Sequence, residues 1–291
     1  MGFVRFGATV ILILFLVFPT ACSVHKKMTV GAAASLVEDI AAASSKQKDL
    51  RVIREGMPAY LLLMDGMIEG WPENPRLLIA AAQAYATFAT AFVAEADRTY
   101  REILLSKAKA YALEALRLRG VEAPQSSPFT TFESDLAATA DEDTAYLFWA
   151  ATAWGNWIQL NIGSMQALAE LPRVELMIKR VLALDEGFYY GGAHLFLAIL
   201  QASRPKIAGG DLGMARRHFL RARDIGQGRF LMTEVYFAQY YARKAFDRDL
   251  FVRTLRHVLE QPVDTVPELT LLNTVAHRKA AEMLAAVDEY F

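Results

Sequence analysis

The sequence predicts an all-α protein built from stacked helix pairs behind a cleaved N-terminal leader. Three observations predict it. Beyond residue 30, apolar residues recur at three- and four-residue spacings, the period of a helix with one buried face. The β-branched alternation and Asn-Gly turns that mark hairpins are missing. One helix-pair pattern, set out below, occurs four times.

Residues 1–22 are expected to be a signal peptide. Arg5 stands in a short basic region, an apolar run extends from Ala8 to Phe18, and Pro19-Thr20-Ala21-Cys22 closes it. That run falls short of the roughly 20 residues a helix needs to cross a bilayer. The small residue before Cys22, the chain's only cysteine, suits a bacterial lipobox, in which Cys22 is acylated and becomes the mature N-terminus. Pro19 stands where such a motif usually has leucine, and plain cleavage at a small-residue site is the alternative. A lone cysteine has no internal disulfide partner. Ser23 is not the aspartate of an inner-membrane retention signal, which favours the outer membrane. Residues 23–29 then form a polar tether, and 30–291 a single helical domain.

Helices are expected over 30–45, 49–69, 74–94, 97–119, 142–161, 173–184, 191–203, 211–225, 229–246, 248–260 and 267–290. Breaks fall at Gly and Pro clusters. Asp141 and Asp211 stand as N-caps, and Gly120 and Gly226 as stops. Residues 121–140 read as one long connection.

The recurring pattern is a large residue, two small residues three and four places on, and an aromatic or small residue three places later. It reads Leu78, Ala81, Ala82, Tyr85; then Leu147, Ala150, Ala151, Trp154; then Leu195, Ala198, Ile199, Ala202; and, in weaker form, Glu234, Phe237, Ala238, Tyr241. A second helix follows each, with packing residues Ala108/Ala112/Ala115, Met177/Val181/Leu184, Ala215/Phe219/Ala222 and Phe251/Leu255/Val258. Small residues let antiparallel helices approach while the large ones fill the gap, the logic of tetratricopeptide repeats. The predicted architecture is therefore a tetratricopeptide-like helical-pair solenoid or bundle.

Charge and motifs narrow the function. With 31 basic and 32 acidic residues the net charge is −1, so no basic excess points to nucleic acid and no polybasic cluster to anionic lipid. His25, His194, His218, His257 and His277 show no metal-ligand spacing, and no nucleophile elbow, P-loop or dinucleotide fingerprint occurs. Neither metal, cofactor nor enzymatic activity is expected. Gly209-Gly210-Asp211 reads as a turn with an N-cap rather than an anion loop, and Asp141-Glu142-Asp143 as acidic residues at a helix start.

Five runs carry a resemblance: YLFWAATAWGNWI (146–158), GGAHLFLAILQASRP (191–205), GGDLGMARRHFLRA (209–222), KAFDRDLF (244–251) and PELTLLNTVAHRKA (267–280). In this order they resemble the T-component of TRAP transporter systems, closely over 140–291 and more loosely over 30–120. The resemblance implies a periplasmic lipoprotein of tetratricopeptide-like fold whose partner is the substrate-binding P-component. It also implies a homotrimer in which each subunit's channel communicates with the ligand cleft of that partner. The ligand itself stays open. A scaffold lipoprotein that organises envelope complexes by gripping a peptide in its groove is the alternative.

Fixing the repeat phase divides each first helix into faces at 100° per residue. Positions one, two, five and nine after the leading residue point to the concave side. They are Phe148, Trp149, Thr152 and Asn156; Phe196, Leu197, Leu200 and Arg204; and Val235, Tyr236, Gln239 and Arg243. His194 is the polar outlier beside them. An aromatic wall with two arginines would suit an amphipathic carboxylate. The same residues could instead meet helix 267–290, with Arg204 favoured near a helix end and Arg243 paired to Asp247. Of the three tryptophans within 149–157, Trp154 takes the packing slot, Trp149 faces the concave side, and Trp157 stands at the border.

Overall fold

The computed structural model describes residues 36–291, so the leader, Cys22 and the tether lie outside the described residues. Among these, every regular element is helical and no strand occurs. Helix α1 is described over 36–45, followed by α2 (Leu50–Gly70), α3 (Pro75–Ala91) and α4 (Arg98–Leu118). After α5 (Phe129–Ala137) and a 3₁₀ turn at 141–143 come α6 (Thr144–Leu160), α7 (Met165–Leu184), α8 (Phe188–Ser203) and α9 (Leu212–Ile225). Helix α10 (Met232–Tyr236) runs into a π-helical segment (Phe237–Ala242), and α11 (Arg248–Glu260), α12 (Thr270–Ala285) and α13 (Val287–Tyr290) complete the chain. No helix among the described residues is long and apolar enough to cross a membrane.

Side-chain caps fix most of the starts. Asp49, Asn74, Asp97, Ser164, Asp211 and Asp247 each accept a backbone N–H of the first turn, satisfying donors that a helix leaves free. Asp211 is thus a cap, as read from the Gly-Gly-Asp sequence. Asp141 is not: it lies inside the 3₁₀ turn at 141–143, and Asp143 is the residue whose carboxylate accepts the Ala140 N–H, at 3.0 Å. Four further expectations need correction. The 121–140 connection contains α5, whose apolar residues Phe132 and Leu136 are buried. Helix α7 begins eight residues earlier than 173, because Ser164 caps it and Pro172 is accommodated inside it. The 229–246 helix is split by the π-helical segment, and 267–290 by a 3₁₀ turn at 267–269 and a break at Ala286.

The recurring pattern is buried almost throughout. Leu147, Ala150, Ala151 and Trp154 have no accessible surface, nor do Ala108, Ala112 and Ala115 or Phe251, Leu255 and Val258. Each fully buried large apolar side chain contributes roughly 1.5–3 kcal/mol. Glu234, the weak match, is buried too, held by a bidentate pair with Arg223 at 2.5 Å.

Contacts between helices run in sequence and then close. Helix α3 packs on α4 and α6, α4 on α6, α6 on α7, α7 on α8, and α8 on α9. Helix α9 meets the π-helical segment, which meets α11; α11 meets α12, and α12 returns to α2. Lys48 bonds Asp264 at 2.7 Å across that closure, and the Arg278 guanidinium donates to the Ala91 carbonyl at the end of α3. Of two hydrophobic cores, one spans the first half and one the second, and Phe92 and Tyr189 pack against both.

Two polar clusters pin the N-terminal helices. Glu170 on α7 accepts from Lys109 on α4 at 2.6 Å, Trp154 on α6 at 2.5 Å and Gln125 at 2.6 Å. Asp65 on α2 accepts from Lys107 at 2.5 Å, Tyr85 at 2.7 Å and Tyr111 at 2.8 Å. Burial would raise the Asp65 pKa, but the hydrogen bonds from Lys107, Tyr85 and Tyr111 together hold it below the usual carboxylate value. A depressed carboxylate stabilises above its unfolded pKa and stops doing so as pH falls through the folded one. Asp65→Asn should therefore flatten the loss of stability below about pH 4, read by urea unfolding at pH 3 to 7. An acid limb as steep as the wild type's would remove Asp65 from the account.

Candidate functional site

The segment GFYYGG at 187–192 does something the helix periodicity does not foretell. Tyr189 (φ 48°, ψ 52°), Tyr190 (φ 57°, ψ 37°) and Gly191 (φ 76°, ψ 29°) make three consecutive left-handed residues at the start of α8. The left-handed form costs roughly 1–2 kcal/mol per residue that carries a Cβ. Such strain persists only where the surroundings over-determine it. Here the backbone at Gly191 lies against α9, so close that a Cβ would stand 3.1 Å from the Ala222 Cα.

The left-handed turn throws Tyr189 into an aromatic seam. Its ring centroid lies 4.7 Å from Trp149, 5.5 Å from Phe148 and 5.7 Å from Phe230, all edge-on or tilted. These are the separations at which ring quadrupoles attract. The seam continues on the π-helical segment and the residue before it, where Tyr236 and Tyr240 lie 6.0 Å apart and Gln159 donates to the Tyr240 hydroxyl at 3.0 Å. A π-helical turn, frequent at functional sites, changes which residues share a face. Trp149, Tyr189, Tyr236 and Tyr240 all keep part of their surface accessible. Burial holds the Tyr189 and Tyr236 phenols well above the ordinary value. The seam is thus an uncharged, aromatic surface with hydroxyl tips.

Of the residues selected from the repeat phase, Trp149 and Tyr236 belong to this seam. Phe148 is a correction: it is buried, wedged against Phe188 and over Gly192, where an added Cβ would meet its ring at 2.6 Å. Leu197, Leu200 and Val235 are buried as well, and Phe196 packs across α6 onto Gly155. Thr152 donates its hydroxyl back to the Phe148 carbonyl, while Asn156 and Gln239 are half-buried. The two arginines are already engaged and do not act as a free pair. Arg204 bonds Glu175 at 2.8 Å, and Arg243 lies 3.9 Å above the Tyr290 ring. Arg243 does not pair with Asp247, whose carboxylate caps α11.

A family model for the TRAP transporter T-component matches residues 46–291. The chain belongs to the TRAP transporter T-component family. No curated protein matches the sequence. This places the protein with the accessory components of a transport system.

Elsewhere in this T-component, His194 does not join the seam. Its Nδ1 lies 2.7 Å from His218 Nδ1 across the α8–α9 pair, and its Nε2 lies 2.9 Å from Glu186, which Arg221 grips at 2.6 Å. The facing nitrogens need one donor and one acceptor, so the two rings cannot both be protonated in this arrangement. Burial, then the charges of His194 and Arg217, lower the His218 pKa. The native state then binds fewer protons than the unfolded chain below about pH 6.5, so stability falls as pH drops from there through the folded value. His218→Gln should flatten that slope between pH 7 and 5, measured by denaturant midpoints. An unchanged slope would assign the dependence to other groups.

A cavity of about 320 Å³ opens beside Phe188, lined by Asp141, Glu142 and Asp185 with Thr144, Ala145 and Leu184. Its three carboxylates make it unsuited to an anion. Among the described residues no group of three or more His, Cys, Asp or Glu gathers to hold a metal. Sequence reasoning missed Tyr189, Tyr190 and Phe230. The available signal was the aromatic pair flanked by glycines in GFYYGG, since glycines on both sides permit backbone that a helix does not use.

Proposed function

We propose that this T-component is a periplasmic accessory lipoprotein, tethered through acylated Cys22, that binds the P-component of its transport system. It holds a small organic ligand against the seam of Trp149, Tyr189, Tyr236 and Tyr240. Membership of the family over residues 46–291 is the observation that carries the partner. The strained turn that aims Tyr189 into partly accessible aromatic surface supports the ligand role. The closed circuit of helix contacts, with the repeat slots buried, supports a tetratricopeptide-like solenoid with the seam on its inner side. The homotrimer belongs to the same reading.

The deciding experiment is capture of the P-component whose gene neighbours this one. Purified T-component should retain it at concentrations above micromolar, and recovery of nothing there would sink the partner assignment. Light scattering should give three times the protomer mass, and a monomer at high concentration would dismiss the trimer. Cys22→Ala should release the protein from the membrane fraction; retention there would reject the acyl anchor.

A further inference from the structure

The cavity beside Phe188 is walled by two elements, and each brings it a carboxylate that no basic group neutralises. Asp141 opens the 3₁₀ turn ahead of α6, and its exposed carboxylate makes no hydrogen bond or ion pair among the described residues. Asp185 follows the last residue of α7, where its Oδ1 accepts the Gly187 N–H at 2.8 Å and its other oxygen is unbonded. Glu142 and Asp143 share a single guanidinium, that of Arg119, at 2.9 and 2.6 Å. The start of α6 adds roughly half a positive charge, which this pair still exceeds. Two further arginines are occupied elsewhere. Arg180 donates to the Ala137 and Thr139 carbonyls, and Arg221 grips Glu186. Asp141 and Asp185 therefore stay uncompensated.

A second feature of the wall is independent of charge. Thr144 lines the cavity, is 3% exposed, and its hydroxyl has no hydrogen-bond partner. A buried hydroxyl left unbonded costs free energy that native structures rarely leave uncompensated. Phe188 lines the same cavity while packing on Phe148, with 5.3 Å between ring centroids. An aromatic face attracts an ammonium group. Three carboxylates line the cavity, yet among the described residues no three come close enough to hold one metal ion. Carboxylates set apart, with the apolar side chains of Ala145 and Leu184 in the same lining, suit a cation whose charges are also set apart.

We propose that this cavity binds an aliphatic diamine, with one ammonium at Asp141, the other at Asp185, and the methylene chain along Leu184 and Phe188. Each ammonium carries three donors, so one of them can also reach the Thr144 hydroxyl as acceptor. The volume of about 320 Å³ lies at the small end of ligand pockets, as a short diamine requires. The site is separate from the aromatic seam and does not depend on what the seam holds.

The test is isothermal titration calorimetry of the purified protein at low salt with putrescine, butylamine, 1,4-butanediol and Mg²⁺. Putrescine should bind about fivefold more tightly than butylamine, the gain from a second exposed ion pair, and butanediol should not bind. Mg²⁺ carries the same charge as putrescine and should not displace it at equal concentration. Asp141→Asn should bring putrescine down to the butylamine affinity, and so should Asp185→Asn, which keeps an acceptor for the Gly187 N–H. Thr144→Val removes a hydroxyl that bonds nothing in the protein. It should weaken putrescine about threefold without lowering the thermal midpoint, since no internal hydrogen bond is lost. No heat with putrescine would overturn the site, and displacement by equal Mg²⁺ would reduce it to diffuse counterion attraction. Putrescine binding unchanged in all three variants would place the diamine elsewhere and reject the proposal. So would binding of a dilysine peptide where putrescine fails, because the cavity would then serve a basic side chain of a partner.

Discussion

Glu170→Ala should lower the thermal midpoint by roughly 6–20 °C. The figure combines about 3–5 kcal/mol for breaking a buried ion pair with about 2–4 °C per kcal/mol for a chain of this size. Lys109 and Glu170 are each about nine-tenths buried at the side chain, and their atoms lie 2.6 Å apart. Removing the carboxylate strands the ammonium, the Trp154 N–H and the Gln125 amide together. The rings of Trp157, 3.6 Å below the Lys109 nitrogen, and Trp154 cannot replace a counterion. Lys109→Met with Glu170→Gln should recover much of the loss, because the glutamine oxygen still accepts from Trp154 and no charge is buried. Burial already lowers the Lys109 pKa, partly offset by Glu170. Without Glu170 the native state gives up the proton at lower pH still, while the unfolded lysine keeps it to about pH 10.4. Stability of Glu170→Ala should accordingly rise with pH relative to the wild type, and its deficit narrow between pH 6 and 9. Differential scanning calorimetry across that range checks both statements; a midpoint within 2 °C of the wild type at pH 7 would contradict them.

Gly191→Ala carries the second large effect. The residue pays the left-handed cost of about 1–2 kcal/mol once it has a Cβ, and that Cβ meets Ala222 Cα at 3.1 Å and Ile225 Cβ at 3.2 Å. Crowding of this kind adds about 1–3 kcal/mol, so a loss of roughly 2–5 kcal/mol is expected in urea unfolding. Gly228 provides the control. It is also left-handed, at φ 66°, but has open space where its Cβ would go. Gly228→Ala should cost about 1–2 kcal/mol, the backbone term alone. Equal losses at both positions would show that the contact with α9 contributes nothing. Near-ultraviolet dichroism should change in Gly191→Ala and not in Gly228→Ala, because the turn at Gly191 sets the Tyr189–Trp149 contact.

Much of the fold was legible because it is local. The spacing of Leu147, Ala150, Ala151 and Trp154 fixes one face of one helix, and that face is buried wherever the helix is placed. Asp211 and Asp247 announce helix starts through bonds made within three residues. Helix α5 was hidden because its nine residues, FTTFESDLA, offer only two buried positions, too few for a periodic signal. Phe148 was misassigned for a related reason. Its phase was right, but the seam at that point is closed by Phe188 and Tyr189, which arrive from another helix. The arginines failed similarly, since Glu175 and Tyr290 reach them from distant chain positions.

The sequence by itself determined the helical class, the family, the packing faces and most caps, since each is written in residues a few places apart. Tertiary structure alone decided two things: the left-handed turn at 189–191 and the closure of α12 onto α2. Each depends on segments tens to hundreds of residues apart in the chain. Periodicity specifies which face of a helix is buried, and only the packed chain specifies what that face meets.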